Sequence, residues 1–300
     1  MWQTEQPASQ RLTRMGRSIA WIGNTIRWMA SHAVVLRHTI IAICCCIGLI
    51  WVSLSPVLAQ GRQDAEIQAT SSLALTVAAN TDRIVAGIDQ MLLSARAAYL
   101  EDEKGFDVRE WVSKTLKADK YTFFIGRIDE HGISGDSTLG PEAAGINLAN
   151  QELFRVQLDP THDDLFISKP VVGRATRMPA VHFTRKLLHP DGKFAGVIDV
   201  VLDATELSWS YETTEIGNGY VMLVGTDDRI IRASAPLSGN MIGHTIDDPE
   251  LLKAIQSEQS GSLSTISPSN GTSRIVSFRR LHDYPLVVVV GSDATATLHN

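Results

Sequence analysis

The sequence has 300 residues, 44% of them hydrophobic, and a net charge of −6. A chain of this length and apolar content can bury a substantial core. The acidic balance leaves no basic surface of the kind that binds nucleic acid, which argues against a nucleic-acid partner.

The first 59 residues differ in charge from the rest. They hold five arginines and one glutamate, which leaves 22 basic and 32 acidic residues for the remainder. Because cytoplasmic segments next to a membrane are enriched in Lys and Arg, we predict a cytoplasmic tail over residues 1–38. Within it, residues 17–36 form either a short amphipathic helix on the inner leaflet or a frayed basic segment.

Residues 39–59 are predicted to form a transmembrane helix. The stretch carries no charge and has close to the ~20 residues that span a hydrocarbon core. A cleaved signal peptide is the rival, since Val57–Ala59 resembles a cleavage site, but the long basic segment before it favours an uncleaved anchor. The chain would then sit in the inner membrane, with the remainder in the periplasm.

All three cysteines, Cys44, Cys45 and Cys46, lie in this apolar run. No disulfide framework is therefore possible in the exported part. In a lipid-spanning helix they serve as small apolar residues, or as palmitoylation sites if they lie near an interface.

A long stalk helix is predicted for residues 60–103, which contain no proline. Apolar and small residues recur in steps of three and four, as in a heptad pattern: Ile67, Thr70, Ala74, Val77, Thr81, Ile84, Ile88, Met91, Ala95 and Ala98. We expect the first half of this stripe to pair with another chain in a homodimer and the second half to pack on a sheet. The alternative is that the whole stripe packs within the chain.

The most informative stretch is Val181 to Asp203, which predicts two strands joined by a turn at Pro190-Asp191-Gly192. The first arm alternates, with His182, Thr184 and Lys186 on one face and Val181, Phe183 and Arg185 on the other. The second arm is almost wholly apolar, which is typical of a strand covered on both faces. It is broken by one carboxylate, Asp199.

The same plan returns near the C-terminus in Arg274 to Gly291, where Phe278-Arg279-Arg280-Leu281 echoes Phe183 to Leu187. Upstream, Phe123 to Ser137 is echoed by Val221 to Ser234 at nearly the same spacing. Two motifs that repeat in order predict two copies of one small α+β unit.

The phrases FISKPVVGRAT, FTRKLLHPDGKFAGVIDVVLD and RIVSFRRLHDYPLVVVVG resemble double Cache domains, the tandem PAS-like extracytoplasmic sensors of bacterial diguanylate cyclases, histidine kinases and chemoreceptors. The resemblance covers about Gln60 to Gly291. It implies an α+β fold with a membrane-distal unit at 104–203 and a membrane-proximal unit at 204–291. Residues 292–300 would begin a further segment, and any output domain would follow Asn300.

Asp199 is the first candidate for ligand binding. A carboxylate on a covered strand must be paired or hydrogen-bonded. It could receive the ammonium or amide of a small ligand, or it could bond Arg155, Arg174 or backbone amides in the core. The resemblance favours the ligand, because Cache sensors for amino acids keep an aspartate in the matching strand phrase.

A short helix predicted from Asn147 to Gln157 is the second candidate. In many related sensors this helix carries an arginine and two aromatics that clamp the ligand. Here Gln151 stands at the arginine position, Leu153 replaces the first aromatic, and Phe154 keeps the second. Arg155 could act as the anion clamp or could be a surface arginine. This departure leaves amino-acid specificity open.

Further candidates lie on or beside the middle strands of the first unit. Arg174, His182, Thr184 and Arg185 are polar, and the alternation places some of them towards a pocket and the others towards the long helix. Tyr121 and Phe124 could form an aromatic wall or pack in the core.

No catalytic motif is recognisable, the histidines are dispersed, and no spacing indicates a metal site or a cofactor. The sequence therefore favours a small-molecule sensor over an exported enzyme. A structural, dimerisation or adaptor module of the same fold, with no ligand, is the remaining alternative.

Overall fold

The computed structural model describes residues 9–115, 123–161, 163–173, 178–205, 207–208, 219–236, 241–266, 271 and 273–293, with side chains for all of these except 9–43, 49–50, 53–59 and 293. The chain divides into two compact units, residues 1–63 and residues 64–300. Helix α1, Ser9–Glu101, begins in the first unit and ends in the second. The other helices and strands belong to the second unit.

The predicted transmembrane segment, 39–59, lies within α1, and most of its side chains fall outside the described part of the chain. Of the residues whose structure is described, no helix offers a run both long and apolar enough to cross a bilayer. The three cysteines are exposed and unpaired with one another.

The heptad stripe of α1 packs within the second unit. Ala74, Val77, Ile88 and Ala95 belong to one buried core that also contains residues from both sheets. Thr70 places its hydroxyl 2.7 Å from that of Ser277 in the second sheet. The first half of the stripe is thus covered by the second sheet, and not by another chain as predicted. Intramolecular packing, the alternative, accounts for both halves.

The first sheet is antiparallel and comprises β1 Phe123–Asp129, β2 Ser134–Ser137, β3 Phe166–Ile167, β4 Val171–Val172, β5 Pro179–Leu188 and β6 Phe194–Asp203. The strand order is β2-β1-β6-β5-β3, and β4 pairs with β5. The predicted hairpin is confirmed as β5–β6. Its turn uses Gly192 at φ 83, a conformation that favours glycine.

The second sheet is antiparallel and comprises β7 Tyr220–Gly225, β8 Ile231–Ala235, β9 Ser260–Ile266, β10 Ser273–Arg280 and β11 Leu286–Asp293. Its order, β8-β7-β11-β10-β9, repeats that of the first sheet strand for strand. The α+β class with two related sheets is therefore confirmed. The domain bounds 104–203 and 204–291 stay predictions.

Short helices complete the described chain: α2 Val108–Thr115, α3 Glu152–Arg155 and α4 Pro249–Ser257. The predicted helix from Asn147 begins only after Gln151, and Asn147 instead accepts a hydrogen bond from the Ala149 amide at 3.0 Å. That short turn satisfies the local backbone and delays the helix.

One face of each sheet packs on α1, and the other faces differ. On the first sheet, Leu153 and Phe154 of α3 pack with Ile128 and Val197 in a small cluster. On the second sheet, α4 contributes to a larger apolar cluster. The small cover on the first sheet leaves room beside it, and the candidate site occupies that room.

Candidate ligand-binding site

A cavity of about 170 Å³ lies on the face of the first sheet that is turned away from α1. Strands β1, β5 and β6 form its floor, and the segment from β2 to α3, together with β4, forms its walls. Most of the lining side chains are apolar: Phe124, Ile128, Leu139, Ala143, Ile146, Leu148, Leu153, Val171, Val172 and Val201.

The floor is hollow because small residues flank its centre. Asp199 pairs with Gly126 of β1 on one side and with Thr184 of β5 on the other. A Cβ at Gly126 would lie 3.3 Å from the hydroxyl of Ser137, so even a methyl group would crowd this wall. The absence of a side chain at position 126 thus leaves space above the Asp199 carboxylate.

Asp199 is held by His182. Nδ1 of His182 lies 2.8 Å from Oδ2 of Asp199, and the two side chains are only 12% and 7% exposed. Because an ionised carboxylate can only accept, the imidazole donates from Nδ1. The backbone of His182 is fixed in turn by Ser168, whose hydroxyl accepts from the His182 amide at 2.9 Å.

The second oxygen of Asp199, Oδ1, makes no hydrogen bond to any group in the described residues. It is buried, in a residue that lines the cavity. A buried carboxylate oxygen without a donor is costly, and such orphans are uncommon in folded proteins. The chemistry that would satisfy it is an N–H or O–H donor entering the cavity.

The Asp199–His182 pair also sets the charge of His182. Burial on its own would lower the pKa of His182, but the charge of Asp199 and the hydrogen bond to it outweigh burial and raise that pKa above its usual value. The imidazolium form of His182 is therefore favoured while the cavity contains no other cation.

Arg127 supplies the second charged wall. Its Nε donates to Oδ1 of Asp136 at 2.9 Å, and Oδ2 of Asp136 accepts from the Val108 amide at 2.6 Å. The guanidinium lines the cavity and is 30% exposed. Arg127 was not among the site residues predicted from the sequence. An arginine in one strand and an aspartate in the next is nevertheless a pattern that indicates a charged pair.

The wall between β2 and α3 is pinned by Ser134. Its hydroxyl donates to the Ala143 carbonyl at 2.5 Å and accepts from the Ile146 amide at 2.8 Å. Leu148 is anchored by its amide, which donates to the Gly132 carbonyl at 2.7 Å. These bonds hold three apolar lining residues over the floor without a regular helix or strand.

Among the predicted site residues, the structure brings Asp199, His182 and Phe124 to the cavity. Two residues of the predicted clamp helix also line it, Gln151 and Leu153. These are the positions where the related sensors were expected to carry an arginine and an aromatic residue.

Four predicted site residues do not line the cavity: Thr184, Phe154, Arg155 and Arg185. Thr184 is fully buried and bonds Gln157 and the Leu153 carbonyl. Phe154 packs edge-on against Phe194, with ring centroids 5.6 Å apart. Arg155 is exposed at the surface. Phe154 and Arg155 do not line the cavity. Thr184 lies on the same face of β5 as His182, but the Leu153 carbonyl and Gln157 cover its hydroxyl.

Arg185 lies on the opposite face of the sheet and pairs with α1. Its Nη2 donates to Oδ2 of Asp89 at 2.9 Å, its Nε donates to the other oxygen at 2.5 Å, and its third nitrogen donates to the Asp163 carbonyl. Arg185 therefore joins the sheet to the helix. Tyr121 and Arg174 lie outside the described residues.

The arrangement is suited to binding. An apolar cavity with one unsatisfied carboxylate oxygen recognises a donor group and encloses an apolar body. Within the described side chains, no group of three or more histidine, cysteine or carboxylate residues could hold a metal ion.

Known sensor domains resemble this chain in sequence over its second half and in fold over most of its length. Residues 206–291 match the dCache_1-like family, described as a histidine kinase sensor domain. No curated protein matches the chain in sequence.

Solved structures of sensor domains share the fold. The extracellular domain of the putative histidine kinase rpHK1S-Z16 is 21% identical, with a TM-score of 0.66, over 81% of this chain and 98% of that one. The periplasmic sensory domain of the Campylobacter jejuni chemoreceptor Tlp1 is 16% identical, with a TM-score of 0.61, over 77% and 96%.

The ligand-binding domain of the Pseudomonas aeruginosa PAO1 amino acid chemoreceptor PctB, solved with L-Arg, is 14% identical, with a TM-score of 0.61, over 79% of this chain and 99% of that one. These similarities confirm the predicted resemblance: residues 206–291 match the dCache_1-like model, and the chain has the fold of the sensor domains of histidine kinases and chemoreceptors.

Proposed function

We propose that the chain is the extracytoplasmic sensor region of a membrane-bound signal-transduction protein, and that it binds a small amine in the cavity of the first sheet. One observation carries the proposal: Oδ1 of Asp199 is buried and has no hydrogen-bond partner among the described residues, and Asp199 lines a cavity whose other side chains are mostly apolar. An ammonium group would donate to this oxygen and neutralise the carboxylate.

The size of the cavity limits the ligand. A protein cavity of about 150 Å³ accommodates a benzene-sized molecule, and this cavity is of about 170 Å³. The ligand would therefore be a compound of about six to ten non-hydrogen atoms. The amino acids bound by several similar sensor domains, L-Arg and L-serine among them, carry the ammonium group that Asp199 would accept. Arg127 would donate hydrogen bonds to the carboxylate of such a ligand.

Signal transfer would pass through β5. This strand carries His182 on the cavity face and, three residues later, Arg185 on the face that packs on α1. A shift of β5 on ligand binding would change the bidentate Arg185–Asp89 contact and so the packing of α1 on the sheet. A packed interface of this kind responds by moving between discrete arrangements.

The predicted anchor at residues 39–59 would then hold the chain in the inner membrane, with residues 1–38 in the cytoplasm. An output domain, such as a diguanylate cyclase or a histidine kinase, would follow or accompany this region, and the sensor itself would perform no covalent chemistry. A homodimer is part of the proposal. Because the heptad stripe is buried within the chain, dimer contacts would use the exposed face of α1 that carries Leu75.

The test is a thermal-shift experiment on the full chain in detergent, with a panel of small alkylamines and small amino acids. We expect at least one compound to raise the melting temperature of the wild type and to lose that effect in Asp199→Asn, which keeps the shape but removes the charge. Glu152→Gln, an exposed carboxylate on α3, is the matched control and should behave as wild type. If no compound shifts the wild type, the ligand-free structural or adaptor module becomes the better description.

A further inference from the structure

The carboxylate of Asp199 at the floor of the cavity can be neutralised by either of two cations: the imidazolium of His182 or a positively charged ligand. His182 is bound to Oδ2 of Asp199 at 2.8 Å, while the buried Oδ1 has no hydrogen-bond partner among the described residues, and both residues line the cavity. With His182 protonated, the pair is neutral. With His182 neutral, it carries one negative charge in a setting where both side chains are about nine-tenths buried.

Few other charges face this pair. Among the described lining residues, β1 contributes Arg127, and its neighbour Asp136 on β2 neutralises it at 2.9 Å. Strand β4 and the lining part of α3 contribute Val171, Val172, Gly173 and Leu153, which carry no charge. The charged residues of α3, Glu152 and Arg155, are exposed. His182 is therefore the titratable group that decides the net charge beside Oδ1.

We propose that a cationic ligand and the proton on His182 compete for Asp199, so that the cavity takes up an ammonium compound with release of that proton. The inference rests on the proposed function and deepens it, because it makes His182 the residue that selects the charge of the ligand. Above the pKa of His182 the site prefers a cation, and below it the site prefers a neutral donor.

The direction of the pH dependence follows from this competition. The raised pKa of His182 means that the imidazolium persists above pH 6.5, the usual value for histidine. Below the pKa in the free protein, each pH unit downward weakens a cationic ligand by up to about tenfold, because one proton must leave. Above that pKa the affinity becomes independent of pH.

Isothermal titration calorimetry of the full chain in detergent with isobutylamine tests the idea. This primary amine stays protonated across the working range, since alkylammonium groups such as that of lysine have a pKa of about 10.4. We expect the dissociation constant to fall between pH 5 and pH 8, and the heats measured in two buffers of different ionisation enthalpy to report release of about one proton at the acidic end.

His182→Asn keeps a donor towards Asp199 and cannot titrate, so its dissociation constant should be flat with pH and should approach the wild-type value at pH 8. His189→Asn is the matched control. His189 also pairs with carboxylates, Glu103 at 2.8 Å and Glu130 at 3.2 Å, but lies outside the cavity lining. Its variant should keep the wild-type slope.

The outcomes separate the two proposals. Tight isobutylamine binding with no pH slope and no proton release would overturn the competition and leave the amine sensor standing. If no amine binds to the wild type, and Asp199→Asn gives the same result as the wild type, both the amine sensor and the competition are overturned. An NMR titration of histidine-labelled protein adds a readout without ligand: the pKa of His182 should drop in Asp199→Asn, and an unchanged pKa would refute the coupling.

Discussion

The two sheets have the same strand order, yet in the described part of the chain the outer face of the first lines a cavity and that of the second packs in an apolar cluster. The register of strand pairing allows each residue of the first sheet to be matched with one of the second. Thr184 and Asp199 are paired across β5 and β6, and Phe278 and Val289 are paired across β10 and β11. Arg185 comes directly after Thr184 and Arg279 directly after Phe278, and each arginine is followed by a second basic residue and then a leucine. Asp199 of the first sheet thus corresponds to Val289 of the second.

The other floor positions change in the same sense. His182 corresponds to Val276, and Gly126 corresponds to Met222, which pairs with Val289 as Gly126 pairs with Asp199. The second set belongs to the apolar cluster under α4. Four changes from small or polar to apolar residues therefore convert a hollow floor into a packed one. One arrangement of strands forms the floor of a cavity in the first sheet and an apolar core in the second.

The largest effect is expected where the second sheet is filled. Phe278→Ala should lower the free energy of unfolding by about 3–5 kcal/mol, because a buried ring is removed from a closed cluster. The matched change in the first sheet, Thr184→Ala, should lower it by about 1–2 kcal/mol through lost hydrogen bonds. Chemical denaturation of both variants measures the difference. Similar values for the two would contradict the view that only the second floor is a packed core.

The second prediction copies the second sheet into the first. The double variant His182→Val and Asp199→Val should lose amine binding by about 2–5 kcal/mol, since the carboxylate that accepts the ammonium is gone. Its stability should stay near that of the wild type or rise, because apolar replacements of a buried polar pair are often neutral or stabilising.

Calorimetry and a melting curve on the same sample measure both quantities. Asp199→Val alone is the control: it leaves His182 buried without its partner and should melt lower than the double variant. Retained amine binding in the double variant would place the ligand elsewhere.

The main strands, the hairpins and the duplication could be predicted from the sequence, because apolar runs and turn residues repeat in the same order. The face of the sheet on which each side chain lies could not be predicted. Phe183 and Phe278 were matched as echoes, but Phe183 packs with α1 and Phe278 packs under α4. The repeat is shifted by one residue between the aromatic and the arginine, and a one-residue shift exchanges the faces of a strand.

The candidate site divides along similar lines. A lone carboxylate on an apolar strand marked Asp199 for either structural pairing or ligand binding, and the resemblance to Cache sensors favoured the ligand; Asp199 does line the cavity and also pairs with His182. Its pairing with His182 depends on a diagonal across two strands, which a single sequence does not define. Arg155 is exposed, which agrees with the surface alternative and not with the anion clamp; the helix that carries it begins after Gln151 and not at Asn147.

A third prediction compares the helix-facing arginines. Arg185→Ala should lower the free energy of unfolding by about 2–3 kcal/mol, because it removes a bidentate contact and leaves Asp89 largely buried without it. Arg279→Ala is the matched variant and should lower it by roughly 0.5 kcal/mol. Arg279 acts on Asp82 only through its charge, and burial is the main reason that the pKa of Asp82 is raised.

Denaturation at neutral pH measures both variants, and Asp89→Asn should match Arg185→Ala within error if the pair acts as one contact. A loss for Arg279→Ala as large as that for Arg185→Ala would remove the difference between the sheets. The comparison matters for function, since the Arg185 contact is the step by which the first sheet would act on α1.

The smallest expected effect is a pH dependence of stability in the absence of ligand. The folded pKa of His182 is raised above its unfolded value, so the Asp199–His182 pair contributes stability that is fully present below about pH 6.5 and is lost as the pH rises through the folded pKa. The melting-temperature difference between wild type and His182→Asn should therefore be larger at pH 5 than at pH 8. The second sheet holds Val276 and Val289 at these positions and contributes no such dependence. The double valine variant should accordingly remove it from the first sheet as well. Stability of the free chain and affinity for an ammonium compound would then change in opposite directions through one titration, because the proton that stabilises the empty site is the one that the ligand displaces. A melting-temperature difference between wild type and His182→Asn that grows from pH 5 towards pH 8 would contradict the sign of this argument.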